Sequence, residues 1–452
     1  MLERQFADFA VNLTADEVPQ DVRNILRWMV MAATGTGIAG AAEDGIEELR
    51  AILIEAGGTP QATTLVFGDR LPAHGVAQLN ATMCRALDYC DAMAPGPHIG
   101  SALLPAAFAA AELAGGCNGK TFLAALASGA ELSSRLNLSE AQYDGFDPTG
   151  IAVVFSATAA ASRILNLTAE QTLHALALAF NRCGGSFQSH VDGSLGVRIV
   201  QGWVAEAGVQ CAQLAQRGVT GPVNFLTGHY GYGHLYGRNQ LDFEAIGKDL
   251  GKTWWVHRMV FKKYPSCGVT QGVTALALSL VEAGVTAERV QTVEVRLPPY
   301  AHKLVGKAFN PGTNPRVDGQ FSAAYCVANA LTRRSSALAH FTPEQVLDPS
   351  LSPMINRISV VADPALNARG HTAVDLTVNT FDGQTLVRNL DIAPGFPGAD
   401  LNETQHRARF ADCLAYAPKK ISAASMERYL TALESITEID DVRTLIPLLI
   451  AG

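Results

Sequence analysis

The chain has 452 residues, 48% of them hydrophobic and 17% charged. That composition supplies core for about two to four domains and excludes a disordered or collagen-like chain. Lys plus Arg number 34 against 42 Asp plus Glu, a formal net charge of −8. No global positive field therefore draws in nucleic acid or an anionic membrane, while a local basic cleft for a small anion stays open.

The first residues carry Glu3, Arg4 and Asp8 and show none of the three regions of a secretory leader. Thr14-Ala15-Asp16-Glu17 has capping-box spacing, with Pro19 following, and Thr168-Ala169-Glu170-Gln171 repeats it before the apolar run 173–180. Phe122, Leu126, Leu132 and Leu136 keep roughly one helix face. Tracts dense in alanine, 106–111, 124–130 and 157–161, predict helix axes packed closely inside a bundle. No apolar run is long enough for a membrane span: the richest, 103–116, contains Pro105 and Glu112.

From about residue 268 the pattern changes. Residues 290–297 and 357–361 read as strands, and 371–380 with 384–390 flank Phe381-Asp382-Gly383 as a hairpin. Helical stretches fall at 319–331 and 342–348, and the chain reads as helical again from Glu403 to its apolar end. The expected fold is mainly α: a large all-α helical domain built from both chain ends, residues 1–267 and 401–452. A smaller α+β lid domain, residues 268–400, is inserted between them. Clefts between domains are favoured ligand sites.

The eight cysteines form no C-x-x-C pair and no zinc spacing, and most sit among Ala, Leu and Val. Reduced, buried thiols and a cytoplasmic location are the expectation. Gly35-Thr36-Gly37-Ile38-Ala39-Gly40 spells G-x-G-x-x-G, but after a helix-like run, so close helix packing is the better reading than dinucleotide binding. The stretch from Gly228 to Gly237 lacks P-loop chemistry and reads as a tight loop. G-x-S-x-G and H-E-x-x-H are absent. If the chain is an enzyme, acid–base chemistry without metal or organic cofactor remains.

Asp88-Tyr89-Cys90-Asp91 precedes a Pro/Gly turn, and His98 stands at the mouth of a long apolar helix. Two carboxylates three residues apart are expected on one helix face. His98 can serve as acid or base near neutral pH, its tautomer set by an Asp. The same residues also fit a solvated helix end with a backbone-bonded His. Lys262-Lys263-Tyr264-Pro265-Ser266-Cys267 lies at the expected domain junction, where two cations suit a carboxylate or simply an exposed linker. Arg198 opens the predicted helix 199–216 and suits bidentate carboxylate binding, or a surface position.

Taken in order, these segments resemble the MmgE/PrpD family, which includes 2-methylcitrate dehydratase, cis-aconitate decarboxylase and iminodisuccinate epimerase. The likeness is carried by Leu87-Asp88-Tyr89-Cys90-Asp91 with His98 and Gly100, Phe146-Asp147-Pro148-Thr149-Gly150 and the small residues 156–160. Gly202-Trp203-Val204-Ala205 with 218–222, Lys262 to Cys267, and Gln320 to Tyr325 continue it. The resemblance implies a helical domain with an α+β lid, a homodimer, and a small di- or tricarboxylate as substrate, without metal or organic cofactor. Asp88, Asp91, His98, Lys262 and Tyr325 would then line the cleft. Arg198, Lys263, Ser266 and Cys267 would serve the substrate. His98 would move the proton and Tyr325 would be a second acid or a donor, while the cations would meet the developing enediolate. The chain departs from the family's lyases at Ala92 and Ala94, often Thr and His there. It departs again at Val197 and Gln201, and at Cys267, where decarboxylases carry a His. A dehydratase or decarboxylase, an isomerase or epimerase, and a non-catalytic carboxylate binder therefore all stay open.

Overall fold

In the computed structural model, which describes residues 1–139 and 142–452, the chain is mainly α. It divides into two compact units, Met1–Met259 with Cys413–Gly452, and Val260–Asp412. The second unit begins earlier and ends later than the sequence reading of 268–400.

The first unit is built from α1 (Leu2–Asn12), α2 (Gln20–Gly40), α3 (Ile46–Ala56), α4 (Ala73–Arg85), α5 (Gly100–Leu113), α6 (Gly119–Arg135), α7 (Pro148–Ile164), α8 (Ala169–Phe180) and α9 (Gly196–Gln216). Helix α5 is buried without a break from Gly100 to Ala111, and α7 from Thr149 to Ser162. Helices apolar on every side belong at the centre of a bundle. Helices α5, α6 and α9 pack on α7, and α9 also packs on α4. Small residues make this possible. A Cβ on Gly129 of α6 would lie 2.7 Å from the Ser156 carbonyl, and one on Gly208 of α9 would lie 2.5 Å from Ala157 Cβ. The glycines of 35–40 serve the same end: they lie inside α2, where a Cβ on Gly40 would meet the Met83 carbonyl at 2.2 Å.

The Thr168 box caps α8, with Gln171 N–H donating to Thr168 Oγ1 at 3.2 Å and Thr168 N–H to Gln171 Oε1 at 3.0 Å. The Thr14–Glu17 box instead closes a 3₁₀ turn, Ala15–Glu17, and α2 starts only after Pro19. The unit is not purely α: Ala62–Thr63 and Arg70–Leu71 form a short antiparallel pair.

In the second unit, β1 (Val290–Leu297), β2 (Ile358–Ala362), β3 (Val374–Thr380) and β4 (Thr385–Leu390) form one sheet in the order β2-β1-β3-β4. β1 runs parallel to β2 and antiparallel to β3, and β3–β4 is the hairpin read from Asp382-Gly383. β3 alternates buried and half-buried positions, as a strand with one face on a core must. That core is supplied by α10 (Gln271–Glu282) on β3 and β4, and by α11 (Ala323–Arg333) on α10 and β2. The helix expected over 319–331 is broken at Phe321–Ser322, because Ser322 Oγ accepts the Tyr325 N–H and starts a new helix. Further helices, Glu403–Tyr416 and Ala423–Glu434, follow. Among the described residues, no helix is long and apolar enough to cross a membrane.

Candidate active site

Asp88 and Asp91 do not share a helix face. Helix α4 ends at Arg85, Asp88 has a left-handed backbone (φ 51), and Asp91 opens the short strand Asp91–Met93. The chain leaves the helix because each carboxylate has its own task. Asp88 accepts the Arg85 guanidinium at 2.7 Å, both side chains being buried. Asp91, fully buried, accepts the N–H groups of Ile99 and Gly100 at 3.1 and 2.8 Å, satisfying the first donors of α5. A Cβ on residue 100 would lie 2.4 Å from Asp91 Oδ1, so glycine at this helix start leaves room for the carboxylate.

His98 stands two residues upstream of α5, and three elements hold it. Its N–H donates to Thr149 Oγ1 in the first turn of α7 at 3.0 Å, and its carbonyl accepts from Gln201 of α9 at 2.9 Å. Its ring Nδ1 lies 2.8 Å from the Asp91 carbonyl oxygen and 3.3 Å from Cys90 Sγ. A carbonyl can only accept, so Nδ1 carries the hydrogen, and Nε2 is the nitrogen that takes up a proton. Nε2 faces Asp88 Oδ1 at 3.8 Å. Asp91 thus orients His98 through its backbone, and Asp88 faces the ring through its carboxylate.

Residues 85, 147 and 190 complete this group and were not singled out from the sequence as site residues. Arg85 is buried; burial opposes its charge, yet Asp88, Cys90 and Asp147 raise its pKa above the ordinary value. Asp147 caps α7 through Oδ1, which accepts from Thr149 and Gly150 N–H at 2.8 and 3.1 Å. Its Oδ2 lies 3.4 Å from His190 Nε2. Burial pushes the Asp147 carboxyl up, but His190, the Gly150 N–H and Arg85 outweigh it and hold it below the usual Asp range. The cap-then-proline pattern at Asp147-Pro148 is visible in sequence as a helix start. Nothing local marks His190, which sits on the short helix Gln188–Val191.

Arg198 does not lie ahead of its helix but inside the first turn of α9, which begins at Gly196. Its guanidinium donates to the Asp44 carbonyl at 2.7 Å and stands 3.6 Å from the Glu43 carboxylate, buried. That ties α9 to the segment after α2.

The remaining candidates belong to the second unit. Lys262 is buried, and Lys263 is half-buried with its ammonium 5.4 Å from the Tyr264 ring centre. The loop that follows is stitched down by two glutamines. Gln271 accepts from Tyr264 N–H at 2.8 Å and donates to the Tyr264 carbonyl at 2.9 Å; Gln320 donates to the Pro265 carbonyl at 3.0 Å. Ser266 Oγ accepts from the Thr270 hydroxyl at 2.7 Å, and Cys267 N–H donates to the Gln320 carbonyl at 3.0 Å; both residues are buried. Tyr325 lies in the core of this unit. Its hydroxyl donates to the His340 carbonyl at 2.5 Å and accepts from Arg333 at 3.2 Å, and burial pushes its pKa up to about 12. Among the described residues, no group of three or more His, Cys, Asp or Glu side chains is placed to hold a metal ion.

Two units, one helical and one α+β, with a buried His–carboxylate group at the mouth of a helix, mark a protein class that comparison identifies. Residues 4–244 match the MmgE/PrpD N-terminal domain and residues 264–433 the MmgE/PrpD C-terminal domain. The chain belongs to the MmgE/PrpD family. It is 23% identical to the cis-aconitate decarboxylase-like protein oryM of Aspergillus oryzae, over 98% of this chain and 96% of that protein. It is also 23% identical to the cis-aconitate decarboxylase of Homo sapiens, over 84% of this chain and 80% of that protein.

Proposed function

We propose that this chain is a lyase, a dehydratase or decarboxylase, acting on a small di- or tricarboxylate by moving a proton at a carbon next to a carboxylate. The observation that carries the reading is the His98 ring, its Nδ1 on the Asp91 carbonyl and its Nε2 facing Asp88. That is the arrangement of a general base whose imidazolium is stabilised once formed. The family and the relatives named for decarboxylation of cis-aconitate support it. His98 takes or delivers the proton, while Lys262 and Lys263 are the cations assigned to the developing enediolate. No step needs a metal or an organic cofactor. The reading extends to architecture: a helical domain from both chain ends, an α+β lid domain, a cytoplasmic homodimer paired through the helical domain. A single sedimenting species near 47.8 kDa at micromolar concentration would count against the dimer.

An isomerase or epimerase is the second reading. It is favoured by Arg198, which stands beside Val197 where the resembling lyases carry a Lys, yet is engaged by Glu43 and Asp44. Incubating the protein with a panel of di- and tricarboxylates in D₂O, followed by NMR, separates the readings. Loss of water or CO₂ is expected. Deuterium uptake without net product selects the isomerase, and no change in any compound overturns both.

A further inference from the structure

Apart from Asp91, whose buried carboxylate is met by the N–H groups at the start of α5, the group around His98 contains two buried carboxylates, Asp88 and Asp147, and one buried guanidinium, Arg85, which acts on both. Counted as ionised, the three sum to one negative charge. Burial penalises such an imbalance, so a second positive partner is favoured. Two imidazoles are placed to supply it: His190, 3.4 Å from Asp147 Oδ2, and His98, 3.8 Å from Asp88 Oδ1. The two oxygens of Asp147 are divided between these tasks, Oδ1 capping α7 and Oδ2 facing His190. The His190 ring is held in place by Phe187, stacked at 4.5 Å and 19°.

We infer that His190 is a positioning residue for His98: by taking the positive charge opposite Asp147 it leaves Arg85 to neutralise Asp88, and so sets the proton affinity of His98 Nε2. The inference deepens the proposed function and rests on His98 as the base. With His190 charged the group is balanced, and His98 stays neutral and able to accept a proton. Without that charge, His98 itself becomes the counter-ion of Asp88 and is protonated before substrate arrives. Among the described residues, the titratable and charged groups near this set include Asp88, Cys90 and Asp91 from the loop of His98, Arg85 from α4, Asp147 at the start of α7, and Asp192 beside the short helix of His190. Gln201 and Thr149, the α9 and α7 contacts of His98, carry no charge.

The test is an NMR titration of the imidazole signals in the full chain, with the His98 signal identified by its loss in His98→Gln. His190→Gln keeps a donor toward Asp147 but removes the charge; it should raise the proton affinity of His98 about three- to tenfold. Asp147→Asn keeps a good helix cap and removes the opposing charge; it should lower that affinity by a similar factor. Asp147→Ser, another good cap, repeats the charge loss if the Asn variant fails to fold. The acid limb of kcat/KM should follow the same opposite shifts, which a merely structural role would not produce. Both affinities within about twofold of wild type, or both moving the same way, would overturn the inference. Opposite shifts in a chain that neither turns over nor exchanges any carboxylate would sink the proposed reaction and leave the inference standing.

Discussion

At the scale of single residues, His98 is defined by what its two ring nitrogens can do. With Nδ1 donating to the Asp91 carbonyl, proton uptake falls to Nε2, beside Asp88. His98→Gln can keep the bond to Asp91 through its amide N–H but cannot accept and release a proton. Turnover on the true substrate should fall by about two to four orders of magnitude, with KM changed far less. Steady-state kinetics check this, and near wild-type turnover would move the role elsewhere. Arg85 is the other residue on which the group depends, since it faces Asp88 and Asp147 from inside the protein. Arg85→Met leaves Asp88 buried without its hydrogen-bonded cation and should cost about 3 to 5 kcal/mol of stability, read from urea unfolding. The cluster 88–98 was legible in the sequence because its members are contiguous. Arg85 and His190 were not: their roles come from distant chain segments meeting, and no local spacing announces that. Tyr325 shows the converse, a residue noticed through resemblance whose hydroxyl the fold commits to His340 and Arg333 inside the second unit.

At the scale of elements, helices were read from periodicity and caps, and strands from alternation. These signals placed α6, α8 and the β3–β4 hairpin correctly because each is local. The helix face expected for Asp88 and Asp91 failed because the end of α4 is decided by a left-handed residue and an ion pair. Spacing of three residues suits a helix but does not require one. What Asp91 does instead is testable. It serves two N–H groups at the start of α5, and that start also sets where His98 stands. Asp91→Ala leaves these donors buried without their acceptor and should destabilise the protein by about 1 to 3 kcal/mol. Asp91→Asn retains an acceptor oxygen and should recover much of that loss. Equal losses in the two variants, measured by urea midpoints, would show that capping is not what Asp91 contributes.

For the whole molecule, the response of stability to acid separates buried carboxylates of two kinds. Asp147 is held below its ordinary value of 3.8, because His190, the Gly150 N–H and Arg85 outweigh burial. Its contribution is complete above the unfolded value and is lost as the pH falls through the lower native one, since there the unfolded chain binds more protons. Glu131 is the reverse case. Burial raises it above its ordinary 4.5, although Trp255 N–H, Arg135 and Val256 N–H all hold its carboxylate. In the window between 4.5 and its native value the folded chain binds more protons, so acidification through this window favours folding. Asp147→Asn should therefore flatten the loss of stability below pH 3.8, whatever it does to stability at neutral pH. Glu131→Gln should remove the gain on acidification above pH 4.5, and it should also lower stability throughout, since Arg135 loses a buried partner. Urea midpoints measured at close pH intervals read the slopes independently of the heights. Slopes altered in the same sense by both substitutions would mean that the two carboxylates do not differ as their surroundings require.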